Sequence, residues 1–250
     1  MSFSHISTEI IGKTGIITLN QTRQLNALSL EMLKELKEAL SDFTASEEVK
    51  AIILAGSDRA FCVGIDIKEL ESSDTKDDFL YAFSQVEDSL QNCKKPVIAA
   101  VSGYVLSAGL SLVLLCDIVL AADNARFGYP EITLSMLPID FGGYMLAREV
   151  GKSKAMEMIL SGRNMEVAEA ERCGLVSRIV PLADLIPDAM RTAERIADMS
   201  SSALQLAKKS VNAAFGLSAD EGIRRGRQHF IESLSGADCK ESIKAYLAKE

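Results

Sequence analysis

Histidine is scarce in this chain, with only His5 and His229 in 250 residues. A mechanism pairing a serine or cysteine nucleophile with an imidazole base needs a histidine close to that nucleophile. His5 sits at the N-terminal edge and His229 in a charged stretch that reads as helix, so such chemistry is not indicated. The five cysteines, Cys62, Cys93, Cys116, Cys173 and Cys239, are odd in number and widely separated. They lack both a Cys-x-x-Cys spacing and a nearby histidine pair, which argues against a metal site. Long apolar runs are missing as well. No stretch reaches the about 18 residues of a membrane span, and no charged start followed by an apolar segment suggests a signal peptide. No membrane association is expected, and a cytoplasmic compartment is the default reading. Positive charge is in deficit, with 27 Lys and Arg against 35 Asp and Glu and a net charge of −8. A broad nucleic-acid surface needs clustered positive charge, so no nucleic-acid partner is expected. A local basic pocket for a phosphorylated ligand stays open. Gly151-Lys152-Ser153 has the end of a phosphate-binding loop, but the upstream glycine that the motif requires is Leu146.

With 48% hydrophobic and 25% charged residues, the chain can bury a sizeable core. Thr8 to Ile11 and Gly15 to Leu19 are β-like runs around Gly12-Lys13-Thr14, which reads as a hairpin. Ser29 can cap a helix whose Leu30, Leu33, Leu36 and Leu40 form one apolar stripe. Ala51 to Ala55 is strand-like, and residues 74 to 93 supply a helical crossover before the next strand. Strands alternating with helices imply a layered α/β core. Beyond Glu131, Gly143 to Leu160, Glu166 to Cys173, Leu185 to Met199, Ser202 to Phe215, Asp220 to Leu234 and Lys240 to Leu247 read as helix, with Ser177 to Val180 as a strand. The expected division is a core over 1–195 and a helical C-terminal region over 196–250.

The densest apolar stretch and the most suspicious carboxylate lie together between residues 96 and 131. Val97 to Val101 is a β-branched run after Pro96, suited to a buried strand, and Ser102-Gly103 ends it. Ser107 to Leu115 is apolar on nearly every side and reads as a core helix. The first N–H groups of a helix lack internal partners and favour negative charge. Small residues at Ser107, Ala108 and Gly109 would let a ligand oxygen approach, although they also suit tight packing after a strand. The loop Ala60 to Glu69 follows the Ala51 to Ala55 strand at the end where open α/β sheets place ligands. Its N–H groups and those of the helix start can converge on one oxygen as an oxyanion hole. An ordinary strand-to-helix turn is the alternative.

Asn26-Ala27-Leu28, the Ala60 to Glu69 loop, Pro96 to Asp117, Phe127 to Gly143, Gly174-Leu175-Val176 and Val180-Pro181 together resemble the enoyl-CoA hydratase/isomerase (crotonase) family in order and separation. The resemblance covers nearly the whole chain. It implies a crotonase-like α/β spiral of β-β-α turns with a helical C-terminal region used in oligomerisation, as a homotrimer or dimer of trimers. It also implies an acyl-CoA thioester as substrate, with coenzyme A part of that substrate and no separate cofactor. Carried over by position, the oxyanion donors are the backbone N–H groups of Ile65 and Ala108. Asp66, Ile67 and Lys68 would lie along the coenzyme A, with Ala27 in the same substrate-binding set and Arg23 at a position that is often basic. The loop opening Asn20-Gln21-Thr22 departs from the commoner Asn-Arg-Pro.

The acids discriminate between reactions. Hydratases of the family carry two glutamates, and the resemblance places the second at Glu131 but Ser111 where the first would stand. Serine has no useful basicity near neutral pH, so activation of water by paired carboxylates loses a member. Moving a double bond from the 3,4 to the 2,3 position needs only one base, and Glu131 alone can serve. The expectation is therefore an enoyl-CoA isomerase. An enoyl-CoA hydratase using a water held by Ser111 is the alternative, followed by a decarboxylase and a non-catalytic relative. Asp140 is a second acid candidate, or a cap for the helix beginning near Gly143.

Overall fold

A computed structural model describes residues 3–71, 73–139 and 141–248. The chain opens on β1 (Ile6–Ile11) and β2 (Thr14–Leu19), antiparallel from Ile6↔Leu19 to Ile11↔Thr14. The turn is tighter than the sequence suggests, because Thr14 already pairs with Ile11 and Gly12 takes a φ of +57°. Ser29 accepts the Met32 N–H at 3.3 Å and so caps α1 (Leu30–Ala45). That helix buries Met32, Leu33, Leu36, Ala39, Leu40 and Phe43 along one face, as its periodicity predicts.

The chain then repeats one pattern. A longer strand, a three-residue strand and a helix follow in turn: β3 (Ala51–Ala55), β4 (Ala60–Cys62) and α2 (Ser73–Gln91); β5 (Val97–Val101), β6 (Tyr104–Leu106) and α3 (Ala108–Leu114); β7 (Ile118–Ala122), β8 (Arg126–Gly128) and α4 (Gly142–Val150). After α5 (Lys152–Ser161) come β9 (Met165–Glu166), α6 (Val167–Arg172) and β10 (Arg178–Val180). The longer strands build a sheet ordered β1-β2-β3-β5-β7-β10, and the short ones a sheet ordered β4-β6-β8-β9. Each β-β-α unit thus advances one place in both sheets, which makes the architecture a spiral of the crotonase kind.

The apolar runs of β3 and β5 are buried at every position because both faces of their sheet are covered. Ile52, Leu54, Val97, Ala99 and Val101 join the main core with α1 and α3. Ala51, Ile53, Ala55, Ile98 and Ala100 face a second cluster closed by Leu185, Ala189 and Ala193 of α7 (Leu185–Ala197). The C-terminal α8 (Ser201–Asn212), α9 (Ala219–Ser235) and α10 (Ala237–Leu247) contain no buried residue. Phe230, Ile231 and Tyr246 there are more than 60% exposed, an apolar surface the single chain leaves uncovered.

Two further features differ from the sequence reading. The stretch Gly143 to Leu160 is two helices, because Gly151 adopts φ +81° and ψ 155° between them. The Ala60 to Glu69 loop begins with a true strand, β4, too short for any alternation to reveal. Among the described residues no helix is long and apolar enough to cross a membrane, and no His, Cys, Asp and Glu cluster suited to a metal occurs.

Candidate active site

Backbone pairing explains how the two oxyanion candidates come together. Buried Asn26 donates through Nδ2 to the Ala60 and Phe61 carbonyls, both at 3.0 Å, while its Oδ1 accepts the Gln21 N–H at 2.8 Å. The side chain thereby staples the 20–28 loop to β4. Next to it, Leu28 donates to the Gly64 carbonyl at 2.7 Å and accepts from Asp66 N–H at 2.8 Å, a parallel bridge to Ile65. Such a bridge uses the groups flanking Ile65 and turns its own N–H the other way. Ala108 is the first residue of α3, so its N–H has no partner within the helix. Neither N–H finds a backbone acceptor among the described residues.

Glycines set how closely these elements approach. A Cβ on Gly109 would lie 2.6 Å from the Cys62 Cβ, and one on Gly64 would lie 2.3 Å from the Ser107 Cβ. Gly64 immediately precedes Ile65, and Ser107 immediately precedes Ala108, so this contact sets the two donors side by side. Ser107 itself has φ +56° and ψ −134°, a conformation normally left to glycine. Such backbone costs about 1–3 kcal/mol and persists only where surroundings enforce it. Here the Ser107 N–H donates to the Gly128 carbonyl at 2.9 Å, anchoring the helix start to β8.

β8 leads through Tyr129 to Glu131, held in a short 3-10 turn, Pro130–Leu134, with proline at its first position. Glu131 is 5% exposed, and neither carboxylate oxygen has a hydrogen-bond partner. Burial pushes its pKa above the ordinary carboxylate value, opposed by the nearby Ser107 hydroxyl and by its own backbone N–H. Burial is the larger of these effects, so the Ser107 hydroxyl only moderates the rise. Ser111, one turn along α3 from Ala108, is fully buried and bonded through Oγ to the Tyr129 phenol at 3.0 Å. The sequence offers Ser107 as a small residue at the helix start but does not announce its positive φ, and Tyr129 is not legible as a site residue, since an aromatic in an apolar run reads as core. Asp140, the second acid candidate, lies outside the described residues.

The proposed coenzyme side lies around the 3-10 turn Ile67–Leu70, capped by Asp66 Oδ1, which accepts the Lys68 N–H at 3.1 Å. Ile67 and Lys68 are exposed, and Ala27 is half-buried beside Leu28. Arg23 is exposed on the turn Thr22–Gln24. With Thr22, Ser57, Asp58 and Arg59 it lines an open cavity of about 360 Å³. Arg59 adds a second guanidinium that the sequence reading did not single out.

A spiral of β-β-α turns is the crotonase arrangement, and in this chain it carries two N–H groups with no backbone acceptor among the described residues and a buried carboxylate. The enoyl-CoA hydratase/isomerase family model matches residues 10–250, and the chain belongs to that family. It is 44% identical over 249 residues to a probable enoyl-CoA hydratase of Rhizobium meliloti, covering 100% of this chain and 97% of that protein. It is 40% identical over 251 residues to the mitochondrial enoyl-CoA hydratase of Pongo abelii, covering 99% and 87%. Its fold matches the crystal structure of an enoyl-CoA hydratase subunit I from Geobacillus kaustophilus with a TM-score of 0.93, 36% identity and coverage of 99% and 96%.

Proposed function

We propose that this enzyme moves the double bond of a 3-enoyl-CoA to the 2,3 position, with Glu131 as its single base. The observation that carries the reading is the asymmetry of the polar groups. Glu131 is buried with both oxygens unpartnered, while Ser111 is a neutral hydroxyl already bonded to Tyr129. Glu131 takes a proton from C2 of the thioester. The electron pair moves onto the thioester oxygen, forming a dienolate that the Ile65 and Ala108 N–H groups stabilise, and the same proton is returned at C4. Removing one such donor costs about 10²–10³-fold in turnover. Burial suits the base to this task, because a carboxylate raised toward neutral pH both accepts and returns a proton readily.

The names of the relatives favour a second reading, hydration of a 2-enoyl-CoA. A panel of 2-enoyl, 3-enoyl and malonyl-type thioesters separates the two. Isomerisation of the 3-enoyl substrate is expected to dominate; hydration or decarboxylation as the fastest reaction overturns the proposal. We propose in addition that the exposed apolar residues of α8–α10 are covered in a trimer or dimer of trimers, since symmetric association is the usual remedy for such a surface. A monomeric mass by light scattering at micromolar protein counts against that assembly.

A further inference from the structure

We propose that Tyr129 determines reaction specificity: its phenol occupies the Ser111 hydroxyl and the space around it, and so denies the site a held water opposite Glu131. The inference rests on the single-base reading above and assigns the residue that enforces it.

The observations are local and mutually independent. Tyr129 and Ser111 are each fully buried, and their hydroxyl oxygens lie 3.0 Å apart, so each is the other's partner. The first residue of α4 closes a third side. A Cβ on Gly142 would lie 2.8 Å from the phenol oxygen and 3.0 Å from Ser111 Oγ, so glycine is what lets α4 start this close to both hydroxyls. The phenol oxygen is therefore packed against Ser111 and the start of α4, and both hydroxyls are shut off from solvent. Burial, above all, keeps Tyr129 neutral, with Glu131 adding to that effect through its charge. Tyr129 is thus a fixed hydroxyl two residues from the base.

Hydration needs a water held within reach of Glu131 by a second polar group. Ser111 is placed for that role by its position one turn from the Ala108 donor, and Tyr129 is what has taken it. Removing the phenol oxygen would leave an orphaned hydroxyl next to a gap. A buried hydroxyl without a partner is costly, and a polar gap of roughly 10–15 Å³ is enough to admit one water.

The test is the ratio of 2-enoyl hydration to 3-enoyl isomerisation, measured on wild type, Tyr129→Phe and Tyr129→Phe/Ser111→Ala. The ratio is expected to rise at least about tenfold in Tyr129→Phe, and to fall back in the double variant, which lacks the hydroxyl that would hold the water. An unchanged ratio in a folded Tyr129→Phe enzyme, or a double variant that keeps the gain, overturns the inference. If Tyr129→Phe does not fold, Tyr129→Met opens the same space with a side chain that adapts to irregular gaps, and the same two outcomes decide. A wild-type enzyme that hydrates faster than it isomerises removes both this inference and the isomerase reading. A wild-type isomerase with an unmoved ratio in the variant removes this inference alone.

Discussion

The two walls of the site are built from different material. On one wall the chemistry of the proposed mechanism belongs to main chain: the N–H groups of Ile65 and Ala108, aimed by the Leu28 bridge, the Asn26 staple and the contact between Gly64 and Ser107. On the other it belongs to side chains: the unpaired carboxylate of Glu131 and the closed hydroxyl pair of Ser111 and Tyr129. Main-chain groups survive most substitutions as long as the fold holds them. Side-chain groups change the reaction as soon as one residue changes. In the proposed mechanism the first wall therefore defines what is stabilised, an enolate, and the second defines what is done with it.

The sharpest break is on the side-chain wall. Glu131→Gln keeps the shape and removes the basicity, and turnover is expected to fall by roughly 10²–10⁴-fold with thioester binding largely retained. Ser111→Ala is expected to cost far less on the same 3-enoyl substrate. Equal losses in the two variants would transfer the chemistry to a water held at Ser111. The pH dependence carries the same signature. Burial raises the Glu131 pKa above its ordinary 4.5, so the acid limb of turnover should lie above that value and vanish in Glu131→Gln. The sign for stability is opposite. A group whose folded-state pKa is raised contributes stability fully below its unfolded value and loses it as pH rises through the folded one. The Tm of wild type relative to Glu131→Gln is therefore expected to decline as pH rises from 4.5 through the raised value, and a flat difference would mean that the carboxyl is not perturbed.

The next largest effect belongs to the main-chain wall. Proline at the first helical position suits a helix, which loses no internal bond there, but it removes the Ala108 N–H. The expected cost is about 10²-fold or more in turnover. Ser107 complicates the substitution, because a residue before proline prefers extended backbone whereas Ser107 sits at φ +56°. Ser107→Gly supplies a tolerant background in which Ala108→Pro tests the donor and not the fold. A folded, fully active Ser107→Gly/Ala108→Pro enzyme would exclude Ala108 as a donor.

The same contrast explains what was legible in the sequence. β3 and β5 stand out because strands covered on both faces are continuously apolar, and α1 because Ser29 and a one-sided leucine stripe mark its start and its buried face. Glu131 stands out as a lone carboxylate in an apolar stretch. The three-residue strands β4, β6 and β8 carry no period of their own and exist because the spiral stacks them on one another. The Ser111–Tyr129 bond joins residues 18 apart through tertiary packing, and the strained backbone at Ser107 goes with a tertiary bond to Gly128. Local pattern holds no trace of either.

The smallest expected effect sharpens the comparison most finely. Ile65 is half-buried, packs against the main core and, in the proposed mechanism, gives the reaction only its N–H. That N–H is aimed by hydrogen bonds of Leu28 with Gly64 and Asp66, none of which involves the Ile65 side chain. Ile65→Ala should therefore leave the donor in place. Trimming an apolar wall near a thioester changes which acyl chains fit, at about 1–3 kcal/mol per methylene lost from a pocket. The prediction is a shift in preference among acyl chains, with turnover on the best substrate within about tenfold of wild type, against the 10²-fold or more expected when a donor is lost. Kinetics over a series of chain lengths read both quantities at once. A uniform loss of 10²-fold across every chain length would mean that the Ile65 side chain, and not the Leu28 bridge, holds the N–H in place.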